Sequence, residues 1–351
     1  MIPVARGPEP VALRKERRVQ LSRAILAKQQ GQSVEFAGYD TMKQQLVKAL
    51  NHKCCYCEMM LRIEGSPVEH FRPKAGVKNP GDSALDRSRY WWLAWTWENL
   101  LFACDRCNTN HKGNQFPLRA GTKPLSELSI DLDSEQALLI DPARIDPRDH
   151  IRFVFSETRS RFIPRPVNGS PLGRETLKTL ALDEPDDVRD DHVRRLTQHE
   201  LPPLRDILAS NDSPVIQAYW QRLCRKLFEP ATLFHAVTWD VLDWAVPATQ
   251  RATWGLSLPQ LGRAEPPAKT PLFDPQDDPP ELANLAAPLQ MQVRALGDRA
   301  SPAEVQAVMR ALLGQKDWTD EELARLLQRA PDTVQSYRKQ LASPPGPLPT
   351  S

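Results

Sequence analysis

The sequence lacks long hydrophobic runs. No stretch approaches the ~18 consecutive apolar residues that a membrane-spanning helix needs. The opening MIPVARGPEPVALRKERR mixes prolines with charged residues and has no apolar core of signal-peptide length. The composition is ordinary for a globular protein, with 40% hydrophobic and 26% charged residues. We therefore expect a cytoplasmic protein with reduced cysteines, because thiols in that compartment are rarely oxidised to disulfides.

Net charge is also low, at +2, but the charges are unevenly placed. Residues 1–120 carry 19 lysines and arginines against 11 acidic residues, whereas the other 231 residues carry 27 against 33. A basic first part and an acidic remainder suit a polyanion-binding N-terminal half. A solvated basic helix would give the same pattern, and charge alone does not separate the two.

Composition and periodicity divide the chain into segments. The predicted segments are a basic helical N-terminal arm (1–53), a core with the chemically informative residues (54–150), a mainly helical middle region (151–255), a proline-rich linker (256–288), a helical C-terminal module (289–341) and a tail (342–351). The linker contains eight prolines, which favours an extended or disordered conformation. IRFVFS (151–156) and SRFIPR (160–165) predict a strand pair.

The C-terminal module has the outline of a helix-turn-helix unit. Thr319 and Glu322 form a capping box before ELARLLQR. Pro331 and Asp332 then begin a second helix with TVQSYRKQL. The net charge of the module is near zero, so DNA binding and docking on a partner or on the chain itself stay open as alternatives.

Four of the six cysteines form two C-x2-C knuckles. These are Cys54, Cys57, Cys104 and Cys107. Two knuckles supply a tetrahedral four-cysteine zinc site, with Zn–S distances of about 2.3 Å and no open position, so we expect a structural zinc. A single C-x2-C pair would also suit a redox function. Cys55 and Cys224 are left over as expected buried thiols, and Cys55 could compete with Cys54 for the metal.

Polar side chains cluster between and just after the knuckles, in PVEHFRPK (67–74), WENLLFAC and CNTNHKGNQFPL. They are Glu69, His70, Arg72, Lys74, Asn99, Asn108, His111 and Lys112. A lone histidine is more often structural than catalytic, so the meaning of His70 depends on these neighbours. The run RYWWLAWTWENL adds four tryptophans, which we interpret as core packing, although stacking on nucleic-acid bases would use the same residues.

This ordered set resembles the HNH endonucleases. The family pattern usually reads Asp-His-x-x-Pro, Asn-Leu, then Cys-x2-Cys-Asn-x-x-Lys, and here EHFRP, NL and CDRCN match it. Glu69 stands where the family has aspartate, and one extra residue precedes Lys112, so Asn108 and His111 are alternative candidates for the last metal ligand. The resemblance implies a mainly α fold with a small β component. It would have a ββα-metal core stapled by the zinc site and helical flanking regions.

A closer resemblance is to the HNH proteins of retron-associated and Septu-type bacterial anti-phage systems. It is carried by CCYCE, VEHFRPK, RYWWLAWTWENLLFACDRC, HKGNQFPL and LLIDPARIDP, and it covers roughly residues 1–200. The resemblance implies a nuclease effector of phage defence with an ATPase partner. It does not account for the proline-rich linker or the C-terminal helices.

The residues suit metal-dependent phosphodiester hydrolysis. A histidine with a pKa near ~6.5 can accept a proton from water at neutral pH, and we assign this general-base role to His70. Mg²⁺ or Mn²⁺ prefers hard ligands, which Glu69 and Asn108 offer, with His111 as a candidate third. Because neighbouring strand residues face opposite sides, we expect a bend between Glu69 and His70, with Pro73 helping to impose it.

Asn99 is assigned a supporting role. By analogy with its counterpart in the family, we expect it to tie the loop and orient His70 without touching metal. Arg72, Lys74 and Lys112 suit phosphate contacts, although each would also be ordinary as solvated surface charge.

The favoured function is therefore a metal-dependent HNH endonuclease that nicks or cuts DNA. An RNase would use the same residues. A zinc-stapled module that binds nucleic acid or a partner without cutting is a further alternative, and a redox role for the cysteines is another.

Overall fold

The structure, a computed structural model, describes residues 1–262, 264 and 270–342. The chain divides into two compact units, and each unit is built from separate stretches of sequence. Unit 1 comprises Met1–Pro8, Met42–Ala94 and Glu98–Lys269. Unit 2 comprises Glu9–Thr41, Trp95–Trp97 and Thr270–Ser351.

Unit 1 contains two small antiparallel sheets among many helices. Strands β1 (Val68–His70) and β2 (Leu100–Phe102) form one sheet, and β3 (Ile151–Ser156) and β4 (Arg161–Pro166) form the other. The second pair confirms the strand pair predicted from IRFVFS and SRFIPR. The α-helices of its described part are α2 (Lys43–Ala49), α3 (Pro171–Thr179), α4 (Asp187–Arg195), α5 (Leu201–Ala209), α6 (Ser213–Leu227), α7 (His235–Ala245) and α8 (Ala248–Thr253).

Helix α6 illustrates how sequence produces these elements. Asp212 caps its first turn by accepting a hydrogen bond from the Val215 backbone N–H at 3.2 Å. Ile216, Trp220 and Leu223 recur at helical spacing and are buried in the hydrophobic core of unit 1. A mainly helical region with small sheets is what the sequence predicts for the middle of the chain.

Unit 2 is helical in its described part. Its helices are α1 (Val11–Gln29), α9 (Ala287–Ala295), α10 (Pro302–Leu313), α11 (Asp320–Leu327) and α12 (Pro331–Ala342). The capping box of Thr319 and Glu322 is present at the start of α11, as predicted. Leu323, Leu327 and Val334 are fully buried in the core that these helices share.

The four tryptophans of 91–97 are all buried, with exposed fractions of 3% or less. In unit 1, Trp92 Nε1 donates to the Ser129 carbonyl at 2.8 Å. In unit 2, Trp95 Nε1 donates to the Ala37 carbonyl at 2.6 Å. Core packing is thus confirmed, and stacking on nucleic-acid bases is excluded for side chains buried in this way.

Two predicted boundaries differ from the structure. The N-terminal arm is not one segment, because 9–41 belongs to unit 2 while 1–8 and 42–53 belong to unit 1. The described residues 270–288 do not form an extended linker, since Leu282 and Leu285 are buried in the core of unit 2.

Charge explains why this region folds onto α1. Asp274 and Asp277 form ion pairs with Arg14, at 3.3 and 2.8 Å, and Asp278 pairs with Arg18 at 2.8 Å. The basic front and acidic back of the sequence thus meet within one unit. Residues 263 and 265–269 of the predicted linker, and 343–351 of the predicted tail, lie outside the described residues. Within the described ranges, no helix has both the length and the apolarity needed to cross a membrane.

Candidate functional site

The site is built on the small sheet of β1 and β2. The strands are antiparallel, with Glu69 opposite Leu101 and His70 opposite Leu100, and both are buried along their whole length. A seven-residue π-helix, Arg106–Lys112, follows β2. The local order is therefore strand, strand, helix.

The two cysteine knuckles meet beside this sheet. The Sγ atoms of Cys54, Cys57, Cys104 and Cys107 all lie within 4.8 Å of one another. The Cys57 and Cys104 sulfurs are 3.7 Å apart. A tetrahedron with Zn–S bonds of 2.3 Å has edges of about 3.8 Å, so the donor set fits a metal ion such as zinc. The predicted four-cysteine cluster is confirmed.

Hydrogen bonds further define which cysteines act together. The Cys104 N–H donates to Cys54 Sγ and the Cys107 N–H donates to Cys104 Sγ, both at 3.4 Å. Burial alone would raise the pKa of Cys54, but hydrogen bonds with neighbouring sulfurs outweigh it and hold that pKa well below its usual value. Burial raises the pKa of Cys55 well above its usual value and that of Cys224 to about 12. Neither belongs to the metal cluster.

Glu69 is a fully enclosed carboxylate with two partners. Its Oε1 accepts a hydrogen bond from the Tyr56 hydroxyl at 3.0 Å and pairs with Lys112 Nζ at 2.9 Å. Tyr56 lies within the first knuckle, and Lys112 ends the helix that follows the second. Lys112 also donates to the His70 carbonyl at 2.9 Å. The first knuckle thus supplies one partner of Glu69, and the helix after the second knuckle supplies the other.

His70 is buried on the same strand. Its Nε2 lies 3.0 Å from the Ala94 carbonyl oxygen. Because a carbonyl oxygen only accepts, Nε2 carries the hydrogen and the imidazole lone pair is on Nδ1. Burial, followed by the charge of Lys74, lowers the pKa of His70 well below 6.5. The imidazole is thus neutral at pH 7.

The expected bend between Glu69 and His70 is not found. Strand β1 runs through both residues, so their side chains project to opposite faces of the sheet. The chain stays extended there because β1 pairs with β2 up to the His70–Leu100 pair.

Asn99 joins the loop after β1 to the segment before β2. Its Oδ1 accepts from the Arg72 N–H at 2.7 Å, and its Nδ2 donates to the carbonyls of Arg72 and Leu93 at 3.0 and 3.1 Å. Asn99 is fully buried. Its amide thus fixes the backbone at Arg72, two residues after His70.

Two of the three predicted phosphate contacts are internal instead. Arg72 is 3% exposed, and its Nε donates to Glu135 Oε1 at 2.6 Å. The Tyr90 hydroxyl donates to the other oxygen of Glu135 at 2.7 Å. Lys112 is 1% exposed and is occupied by Glu69. The phosphate-contact assignment is therefore wrong for Arg72 and Lys112 in this conformation, because each neutralises a buried carboxylate.

The remaining candidates are more accessible. Asn108, His111 and Lys74 are half-buried. The Gly113 N–H donates to the Asn108 carbonyl at 2.6 Å, which closes the π-type turn. Such turns are frequent at functional sites. Among the described residues, the side chains of Asn108 and His111 have no hydrogen-bond partner, so both are available to a ligand.

Sequence reasoning missed Tyr56, Tyr90 and Glu135. Tyr56 lies between two cysteines of the first knuckle, and this position could have indicated that its side chain lies near the metal cluster and the candidate site. Glu135 lies 63 residues from Arg72 in a stretch without a motif, so no local pattern indicates the pair.

Comparison with known proteins gives partial matches. The chain is 32% identical over 169 residues to "Septu protein PtuB" of Bacillus mycoides (strain KBAB4), which is 48% of this chain and 52% of that protein. It is 32% identical over 126 residues to "Septu protein PtuB" of Bacillus thuringiensis, 35% of this chain and 36% of that protein. It is also 28% identical over 112 residues to "Septu protein PtuA" of Bacillus mycoides (strain KBAB4), 32% of this chain and 16% of that protein.

The chain thus spans about half the length, or less, of the curated relatives that it matches. No protein-family model matches it. No solved structure matches it either.

Proposed function

We propose that this chain is a metal-dependent endonuclease of the HNH type that nicks or cuts DNA in bacterial anti-phage defence. The observation that carries the proposal is the strand–strand–helix unit beside the cysteine cluster. Glu69 and His70 lie on its first strand, and Asn108 and His111 lie on its helix. Similarity to Septu proteins supports the defence role.

His70 is the general base in this proposal. A base must be unprotonated before it acts, and burial favours the neutral imidazole at pH 7. With Nε2 bonded to the Ala94 carbonyl, Nδ1 is the nitrogen that accepts the proton of the attacking water. Asn99 acts as a positioning residue, because it fixes the backbone two residues after His70.

Glu69, Asn108 and His111 are the proposed ligands of the catalytic cation. Because the Glu69 and His70 side chains project to opposite faces of β1, the proposal requires this strand to bend when the cation binds, so that both side chains reach the same phosphate. Within the described part of the chain, both partners of Glu69 bond to Oε1, which leaves Oε2 for a cation. Mg²⁺ or Mn²⁺ held there would polarise the phosphate and stabilise the leaving oxygen. Lys74 is the remaining predicted phosphate contact.

An ATPase partner belongs to this proposal through the resemblance to Septu-type defence proteins. The similarity to both PtuB and PtuA is compatible with membership of a multi-protein system. DNA is the proposed substrate, and RNA is the alternative that an assay must separate.

The test is a plasmid-cleavage assay with Mg²⁺ or Mn²⁺ on the full chain, run beside a labelled RNA. His70→Ala should lower the rate by about 100- to 10,000-fold, the range of a lost general base. His199→Ala is the matched control, because His199 is exposed on another part of unit 1. Zinc content should be equal in all three proteins.

Three results would count against the proposal. Cleavage by His70→Ala at the wild-type rate would remove the assigned base. Cleavage of RNA alone would replace DNA with RNA as the substrate. Failure of the wild type to cut either nucleic acid, with its zinc bound and with the candidate ATPase added, would favour the non-catalytic binding module.

A further inference from the structure

A polar cavity of about 520 Å³ lies within unit 2, beside α1. Its lining includes four basic side chains: Lys15, Arg18, Arg23 and Arg299. The first three belong to α1, and Arg299 follows α9. The volume is within the range of small-ligand sites, which is roughly 300–1,000 Å³.

The basic side chains of this cavity are incompletely paired. Arg18 is 5% exposed, and its Nε donates to Asp278 at 2.8 Å, but its buried Nη2 has no partner among the described residues. Arg23 donates to the Ala295 carbonyl at 3.0 Å and forms no ion pair there. Lys15 and Arg299 are exposed and form neither hydrogen bonds nor ion pairs with the described residues. A buried N–H donor without an acceptor is costly and rare.

The pairing of the arginines on α1 differs between the cavity and the rest of the helix. Its other arginines are neutralised, Arg14 by Asp274 and Asp277, and Arg17 by Glu9. Asp277, one of the acidic residues at the cavity, is thereby compensated. The unpaired positive charge of α1 is thus concentrated on the side that lines the cavity.

Two further carboxylates lie at the cavity and limit its positive charge. Glu16 accepts a hydrogen bond from Gln20 at 2.8 Å, and Asp298 is exposed. Arg18 is paired with Asp278, so three cavity cations that form no ion pair with the described residues, Lys15, Arg23 and Arg299, outnumber these two carboxylates. A compact anion with several acceptor oxygens fits this arrangement better than a cation does.

We propose that this cavity binds the phosphate group of a nucleotide-sized ligand. Arginine offers a planar fork of donors that matches phosphate oxygens, and lysine adds a mobile point charge. Arg18 lines the cavity and would place its guanidinium beside the phosphate, with Lys15 and Arg299 as exposed cations. The phosphate could come from a free nucleotide or from the end of a nucleic-acid strand. The site is separate in sequence and in unit from the proposed nuclease residues.

The experiment is isothermal titration calorimetry on the full chain with three probes: inorganic pyrophosphate, ADP and a 5′-phosphorylated oligonucleotide. Lys15→Gln/Arg299→Gln removes two exposed cations from the cavity and should leave folding intact. We expect affinity for pyrophosphate and ADP to fall about tenfold for each cation removed. Lys48→Gln/Arg310→Gln is the matched control, because it removes two exposed cations elsewhere.

Arg18→Lys provides a second arm. It keeps the charge that faces Asp278 but removes the forked donor, so binding should weaken while the melting temperature stays close to that of the wild type. His70→Ala should bind pyrophosphate and ADP as the wild type does, which separates this site from the nuclease proposal.

The outcomes are distinct. Binding of ADP and pyrophosphate that is lost in the cavity variant supports a free nucleotide as ligand. Binding of the oligonucleotide alone, lost in the same variant, supports the phosphate site and assigns it to nucleic acid. Absence of binding by every probe at millimolar concentration, or equal binding by the wild type and the cavity variant, overturns the proposal.

Discussion

Lys112 Nζ lies 2.9 Å from Glu69 Oε1, and each side chain is only 1% exposed. The pair joins the helix after the second knuckle to strand β1. Burying two charges is expensive unless each finds its partner, so this contact constrains how the helix can sit on the sheet. This ion pair therefore links the helix that follows the cysteine cluster to the candidate catalytic strand.

Lys112→Met should strongly destabilise the protein, because it leaves the Glu69 carboxylate buried without its cation. We expect a loss of about 3–5 kcal/mol in the free energy of unfolding, measured by urea denaturation. Lys226→Met breaks the exposed pair with Glu200 and should cost less than about 1 kcal/mol. Equal losses for the two variants would show that the buried pair has no special role.

Tyr56→Phe should lower stability without releasing the metal. The change removes a hydrogen bond to a buried carboxylate and leaves all four cysteines in place, so a cost of roughly 1.5–3 kcal/mol is expected. Zinc content, measured by elemental analysis, should match that of the wild type. Tyr219→Phe, at a half-buried tyrosine, is the control and should be nearly neutral. Loss of zinc in Tyr56→Phe would contradict this account.

Substitution of single cysteines should identify the metal ligands. Cys54→Ser and Cys107→Ser should each lose the bound metal and lower the melting temperature, because each removes one donor from a closed tetrahedral set. Cys55→Ser and Cys224→Ser should keep the metal, since both residues lie outside the cluster. Retention of metal by Cys54→Ser together with its loss in Cys55→Ser would mean that Cys55 is the true ligand.

Stability should fall as pH drops through the range near 6.5. Burial, followed by the charge of Lys53, lowers the pKa of His235 in the folded protein. Below about pH 6.5 the unfolded chain therefore binds a proton that the folded chain resists, and this favours unfolding. The contribution of His235 is fully present above pH 6.5 and is lost as the pH falls.

His235→Gln removes this group and should make the decline of the melting temperature between pH 7.5 and 5.5 shallower. A decline should remain, because burial also lowers the pKa of His70. His199→Gln is the control, because His199 is exposed and should leave the profile unchanged. Identical profiles for the wild type and His235→Gln would show that burial of this imidazole does not drive the acid sensitivity.

The sequence predicts those features that depend on local patterns. The C-x2-C spacings predict the cysteine cluster, and Thr319 with Glu322 predicts the start of α11. A knuckle and a capping box each lie within four consecutive residues, so their geometry follows from spacing alone.

Long-range pairings are not visible in the sequence. Arg72 looks like a surface phosphate contact until Glu135 is found beside it. The prolines around Asp278 indicate a linker, yet that aspartate neutralises Arg18. In both cases the tertiary fold brings a buried charge next to an opposite charge that is distant in sequence. Neither composition nor periodicity predicts such an ion pair.

Unit 2 is built from distant stretches of the sequence, so α1 is synthesised long before the segments that pack against it. Arg18 and Asp278 are 260 residues apart, and α1 packs against α9, which begins at Ala287. At ~5–20 residues per second, a ribosome needs roughly 13–50 s to make the partners of α1 after the helix itself has been made. During this delay the apolar face of α1 is uncovered and open to chaperones or to aggregation. A chain cut short before residue 270 would never bury it.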